Sequence, residues 1–241
     1  MIEFNPHDVT WTREKSARFW NAMAGRQWPE DHYFSAAVGA SLVRFVRSRG
    51  IDLSGRILDF GCGPGHLVRE LLPFGSAVSG VDFSEQSIQQ VIRQFEGQPG
   101  FAGGNVIRSV PTDLPDGSFE TIFFVETIEH LLDGDLEATV GELRRLLSKG
   151  GSVVVSTPND EDLQRSESIC PDCGCTFHRM QHVRKWSASS LSSFMTGWGF
   201  KTVAVEALYL QGSWWKTLLF GGAARLLGKP LPHLVYIGRV E

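Results

Sequence analysis

Eleven residues, Arg56-Ile-Leu-Asp-Phe-Gly-Cys-Gly-Pro-Gly-His66, constrain this chain more than any other stretch. The apolar run Ile57-Leu58 suits a buried parallel strand. Gly61, Gly63 and Gly65 then let the backbone turn sharply and let a ligand approach without meeting a side chain. Leu67 through Leu72 has helical spacing, so the turn would sit at a helix N-terminus, where backbone N–H groups have no partner within the helix. Strand, glycine turn and helix together form the opening unit of an α/β sheet and read as a nucleotide-cofactor loop. The spacing narrows the choice of cofactor. In the dinucleotide fingerprint G-x-G-x-x-G the third glycine follows the second by three residues. Here that position is His66.

The elements that follow keep the alternation going. Ala77-Val-Ser-Gly-Val-Asp82 is a second strand ending in an acid, 23 residues beyond Asp59. That separation suits a strand, a helix and a return strand, which brings Asp82 beside the glycine loop. A carboxylate there can accept ribose hydroxyls, and Phe83 can pack on an adenine face; the alternative is a solvated acid at a strand end. Ser84 is a candidate N-cap for a helix reaching about Phe95, and Gly97 through Gly100 breaks it. A strand is expected near Asn105–Ser109, then a turn at 116–120, a buried strand Thr121–Val125, an amphipathic helix over 135–148 and a strand Ser152–Thr157. Upstream, residues 10–24 and 33–49 have helical patterns, the second ended by Gly50.

Asp59-x-Gly61-x-Gly63-x-Gly65, with Asp82-Phe83, the strand ending at Val125 and the helix leading to Gly150-Gly151, resembles the class I S-adenosylmethionine (SAM) dependent methyltransferases. The resemblance is dense over about 55–157 and looser over 182–240, and it points to the ubiquinone-biosynthesis O-methyltransferase branch. It implies a Rossmann-like, doubly wound α/β fold. The sheet would have seven strands, six parallel and one antiparallel, with N-terminal helices and a Cys/His-containing insertion. It also implies that Asp59, Gly61, Cys62, Gly63, Asp82, Phe83 and Val125 contact SAM, Val125 beside the methionine moiety. One departure stands out. Where the family often has Gly-Asp before a Leu-Pro pair, this chain has Ser109-Val-Pro-Thr-Asp113, which leaves the adenine contact to Asp113 or to backbone near Val110. Residues 1–50 are expected to form lid or cap helices, and 51–241 the methyltransferase domain, with insertions at about 158–186 and 210–230.

Two clusters offer chemistry. Glu126-x-x-Glu129-His130 resembles the E-x-x-E-H segment of ubiquinone-biosynthesis O-methyltransferases and of small-RNA 2′-O-methyltransferases, where it can ligate a divalent ion. The spacing puts all three on one side of a helical turn, where they can share an acceptor hydroxyl or a cation, and it makes His130 a candidate general base beside Glu129. The same tripeptide can also merely shape the turn. The second cluster, Cys170-Pro-Asp-Cys173-Gly-Cys175 with His178 and His182, gives C-x2-C-x4-H-x3-H, enough for a tetrahedral zinc site. Reduced thiols in a loop are the alternative.

Composition and charge bound the rest. A net charge of −4 over 241 residues argues against a general nucleic-acid binder, and no apolar run long enough to cross a bilayer occurs. A cytoplasmic enzyme acting on a small-molecule acceptor, apolar or lipid-linked, is the expectation. Residues 213–229 are apolar with three basic residues and no acidic one, which fits either contact with a membrane surface or packing on the domain. Two functional alternatives stay open: an NAD(P)-dependent oxidoreductase and a non-catalytic adaptor using the zinc-like loop.

Overall fold

The computed structural model describes residues 4–24 and 33–241; of the expected N-terminal cap, 1–3 and 25–32 lie outside them. The chain order is β1 His7–Asp8, α1 Arg13–Ala24, α2 Phe34–Ser48, β2 Arg56–Phe60, α3 His66–Leu71, β3 Ala77–Asp82, α4 Glu85–Phe95, β4 Phe101–Val106 and β5 Phe119–Val125. There follow α5 Asp133–Leu146, β6 Leu147–Pro158, β7 Glu167–Ile169, β8 Cys175–His178, α6 Ala188–Gly197, β9 Lys201–Leu208, α7 Trp214–Leu226 and β10 His233–Arg239.

Seven strands form one sheet in the order β4-β3-β2-β5-β6-β10-β9. β2, β3, β4, β5 and β6 pair in parallel, and β10 runs antiparallel to both β6 and β9. Strand alternation divides the core between the two faces. Ile57, Phe123, Val125, Val154 and Val235 pack with α2, α3 and α4. Leu58, Phe60, Ile122, Val153 and Tyr236 pack with α5 and α6. α2 buries Val38, Leu42, Phe45 and Val46, so it belongs to the main core rather than to a detachable lid.

Side-chain caps close two helix N-termini. Ser84 Oγ accepts from Ser87 N, and Ser187 forms a reciprocal capping box with Ser190. The strand expected at 105–109 begins earlier, at Phe101, and ends at Val106. Its interior Gly103-Gly104 hides the strand signal; Gly103 takes a φ of +131°, which favours glycine, while a Cβ on Gly104 would make ordinary contact with Ile88 and Ile92 of α4 at 3.4 Å. The insertion expected at about 158–186 carries regular structure of its own. β7 and β8 form a hairpin, and β1 adds to it in parallel with His7 opposite Cys175, giving a separate three-stranded sheet. That sheet anchors the chain just ahead of α1.

Candidate active site

The parallel pairing brings the carboxyl ends of β2, β3, β5 and β6 to one edge, where open α/β sheets hold their ligands. There the glycine loop leaves β2: Gly61 N and Cys62 N both donate to Val81 O, at 2.8 and 3.0 Å. Gly61, Gly63 and Gly65 have φ of +84°, +49° and +90°, so all three turns favour glycine. Their surroundings differ. A Cβ on Gly61 would meet Thr127 Oγ1 at 2.7 Å and one on Gly65 would meet Phe95 at 2.8 Å, whereas one on Gly63 meets nothing within 4 Å. Gly63 therefore faces open space, as the floor of a cofactor cradle should.

Asp82 ties the loop to β3. Its Oδ2 accepts from Gly63 N at 2.9 Å and its Oδ1 from Ser84 N at 2.8 Å. Burial raises the Asp82 carboxyl above its ordinary range, and those backbone donors oppose it. Asp59 is more extreme. Burial, reinforced by the charge of Asp82, pushes it to about 8, and its Oδ2 has no hydrogen-bond donor among the described residues. Two buried acids next to an open glycine loop fit a cationic, hydroxyl-bearing ligand such as SAM, whose ammonium, sulfonium and ribose can satisfy them. Cys62 is buried against Gly80, and burial drives its thiol pKa well up, so it packs the loop rather than reacting. Phe83 stands half exposed at the β3 end, and Val125 is buried at the β5 end. Asp113 is exposed.

β5 then hands over to the Glu126–His130 turn, where Glu126 takes a left-handed φ of +48°, a strained conformation for a non-glycine residue and one concentrated at functional sites. β6 holds the turn from below. Ser156 Oγ donates to Glu126 Oε1 at 2.8 Å, and Thr157 Oγ1 donates to Glu129 Oε2 at 3.0 Å. Glu129 is fully buried, its Oε1 3.7 Å from His130 Nε2 and without a donor within hydrogen-bond range. Burial lifts Glu126 to about 7 against the Ser156 hydroxyl, and lifts Glu129 further with the charge of Glu126 adding to it. Burial, then the charge of His182, pushes His130 down to about 3, so its ring is neutral near pH 7.

The insertion closes this pocket with residues the sequence did not single out. Gln181, buried at a φ of +57°, donates from Nε2 to His130 O at 2.9 Å and accepts from Trp20 Nε1 on α1 at 2.6 Å. The Trp20 ring packs edge-on against His130 at 4.7 Å. α1 is thus fastened over the E-x-x-E-H turn. Glu161 faces His178 Nε2 at 3.3 Å and hydrogen-bonds His182 Nδ1. Burial opposes the charge of Glu161, but the hydrogen bond and charge of His182, joined by His178, outweigh it and hold the carboxyl below its ordinary range. Nothing in the spacing pointed to Gln181 or Glu161. The left-handed backbone at Gln181 and the acid partner of two histidines become visible only once the insertion is folded.

The Cys/His zinc set is not assembled. Cys170 and Cys173 lie together at the tip of the β7–β8 hairpin, with Cys170 N bonded to Cys175 O at 2.9 Å. His178 and His182 turn away to Glu161, with their rings stacked at 4.3 Å. The reason is geometric: β8 separates Cys175 from His178 by three residues of extended chain, about 10 Å. Among the described residues, the groups able to share a cation are Glu129 with His130 and His182, and Glu161 with His178 and His182, each with its ligand atoms within 4.8 Å of one another. Neither includes a cysteine. No described helix is long and apolar enough to cross a membrane.

Comparison with known proteins agrees with the geometry. A family described as a methyltransferase domain matches residues 31–205. A ubiquinone biosynthesis O-methyltransferase of Idiomarina loihiensis is 32% identical over 151 residues, which is 61% of this chain and 60% of that protein. The match thus spans about three fifths of the relative's length. A SAM-dependent methyltransferase from Mesorhizobium loti superposes with a TM-score of 0.61 at 19% identity, covering 83% of this chain and 98% of that one. The 1,6-didemethyltoxoflavin-N1-methyltransferase of Burkholderia thailandensis, solved with 1,6-didemethyltoxoflavin and S-adenosylhomocysteine, does so at 0.66 and 14% identity, over 98% of this chain and 93% of its own. At those identities the two structures speak to the fold.

Proposed function

The chain belongs to the class I SAM-dependent methyltransferases, and from that premise we propose that it methylates a hydroxyl oxygen of a small, largely apolar acceptor, using Glu129 and His130. The observation that carries this is the contact between the two halves of the site: Gly61 of the glycine loop lies against Thr127 of the E-x-x-E-H turn so tightly that a side chain would not fit. Donor cradle and acid–imidazole cluster are neighbours. A cavity of about 570 Å³ is lined by Phe19, Met23, Phe177, Met180, His178 and Glu161, mostly apolar, and reaches the cluster through His178, which stacks on His182, whose ring is 4.9 Å from that of His130. This reading replaces both the nicotinamide oxidoreductase and the adaptor.

SAM supplies an electrophilic methyl whose displacement releases a neutral thioether, so alignment provides much of the rate. The chain's own task is to hold the acceptor and take its proton. His130 Nε2 lies 3.7 Å from Glu129 Oε1, and because burial weakens the imidazole and strengthens the carboxylate as bases, a proton taken up at His130 passes on to the Glu129 carboxylate rather than resting on the ring. Gln181 and Trp20 fix the position of His130 from the other side.

A second reading rests on the undonated Glu129 Oε1 and on the grouping of Glu129, His130 and His182. Those residues would hold a divalent cation, which when bound supplies Lewis acidity that makes a hydroxyl proton easier to lose. Turnover and SAM affinity of His130→Ala and Glu129→Gln test the proposal: we expect turnover to fall at least about a hundredfold with SAM affinity kept. Full turnover in both variants would refute it. Elemental analysis and chelator sensitivity of the wild type decide between proton acceptor alone and cation.

A further inference from the structure

Helix α7, between β9 and β10, is built inside out. The residues it buries are small or polar, Thr217, Gly221 and Ala224 at helical spacing. Its large apolar residues face away from the domain: Trp215 is 62% exposed, Leu219 58%, Leu226 89%, and Leu227, just beyond its end, 69%. An amphipathic helix on a soluble domain does the opposite, because burying large side chains is what holds it down. On a helical projection Trp215, Leu219 and Leu226 form a stripe opposite the buried residues, with Lys216 on one flank and Arg225 on the other. Thr217 Oγ1, accepting from Gln211 N at 2.9 Å, and Trp214, packed on the main core, fix the helix to the body of the protein. The exposed stripe is therefore held outward by the fold.

Charge names the partner. The chain carries a net −4, yet residues 213–229 contain Lys216, Arg225 and Lys229 and no acid, and α2, which packs against α7, has no acid either. We propose that α7 docks this enzyme on an anionic lipid surface, Trp215, Leu219 and Leu226 entering the headgroup–acyl boundary while Lys216, Arg225 and Lys229 meet lipid phosphates. Thirteen residues of helix span about 20 Å, so α7 lies in the interface and does not cross it. β9 and β6 both pair antiparallel to β10 and so run in the same direction. The end of β9 that feeds α7 is consequently at the edge of the sheet that holds the glycine loop and His130. Docking sets the catalytic edge at the bilayer, where an apolar acceptor would be concentrated.

The proposal does not depend on which atom is methylated. Its test is flotation of the full chain with vesicles of phosphatidylcholine alone and of phosphatidylcholine mixed with phosphatidylglycerol, for the wild type, Leu219→Ser/Leu226→Ser and Lys216→Glu/Lys229→Glu. SAM calorimetry on each protein reports separately on the catalytic domain. We expect the wild type to float with the anionic vesicles, and each double variant to partition about tenfold or more weakly with SAM binding unchanged. No flotation of the wild type, or equal flotation of the variants, overturns the proposal. So does sedimentation velocity showing a wild-type dimer that Leu219→Ser/Leu226→Ser dissociates, since the stripe would then face a second copy.

Discussion

Gly63 and Gly65 share a left-handed backbone and differ in what surrounds them, so the same substitution at each should fail differently. Alanine in a left-handed conformation costs about 1–2 kcal/mol. At Gly63, φ +49° with nothing within 4 Å of a Cβ, that is the whole effect on folding. At roughly 2–4 °C per kcal/mol for a chain of this size, Gly63→Ala should lower Tm by about 2–8 °C. At Gly65, φ +90°, a Cβ also meets Phe95 at 2.8 Å and Val91 at 2.9 Å. Overpacking adds about 1–3 kcal/mol, for a fall of about 4–20 °C. The order reverses for the ligand. The new methyl at Gly63 stands in the space assigned to SAM, and a clash of about 2 kcal/mol weakens binding about thirtyfold. Differential scanning fluorimetry and SAM calorimetry on the two variants give both readouts. If Gly63→Ala bound SAM as the wild type does, the open space beside Gly63 would not be the cradle.

Further expectations follow from single contacts. Gln181→Ala removes the partners of His130 O and Trp20 Nε1 together, so unfolding should show a loss of about 2–4 kcal/mol, and kcat/KM should fall as α1 loosens over the site. An unchanged kcat/KM would detach α1 from catalysis. Glu161→Gln removes the carboxylate facing His178 and His182, and the NMR-measured pKa of His178 should drop further; an unchanged value would contradict that pairing. His233 accepts from Leu210 N at 2.9 Å between the rings of Phe34 and Tyr209, and burial lowers it to about 4. Because its pKa is lowered in the folded state, the unfolded chain binds the extra proton first. Stability present above about pH 6.5 is lost as pH falls toward 4, by at most about 3 kcal/mol. Asparagine offers an acceptor in place of Nδ1 and does not titrate, so His233→Asn should flatten that part of the pH–stability curve; equal slopes would refute the assignment.

The donor half of the site was legible in the sequence because it is local. Asp59 through Gly65 and Asp82 lie at the ends of two consecutive strands, and the left-handed backbone at 61, 63 and 65 calls for glycine. The acceptor half was legible only in part. Glu126, Glu129 and His130 are one turn of chain, but what makes them a site is supplied from afar: Ser156 and Thr157 from β6, Gln181 and Glu161 from the insertion, Trp20 from α1. No spacing rule links residues separated by 28 to 161 positions. The zinc reading failed for a related reason. C-x2-C-x4-H-x3-H spacing assumes a compact loop, and here an extended strand intervenes. The two-residue β1 has no pattern to read, since it exists only because β8 is there to pair with.

The claim most in need of a direct answer is that the methyl goes to oxygen at the Glu129–His130 cluster. Carbon-13 methyl-labelled SAM, a panel of phenols, sugars and lipid-linked hydroxyl compounds, and NMR of the labelled product give it in one measurement. The expected product carries a methoxy carbon, and its signal disappears with His130→Ala. A label on nitrogen or carbon, or an undiminished methoxy signal from His130→Ala, would contradict it.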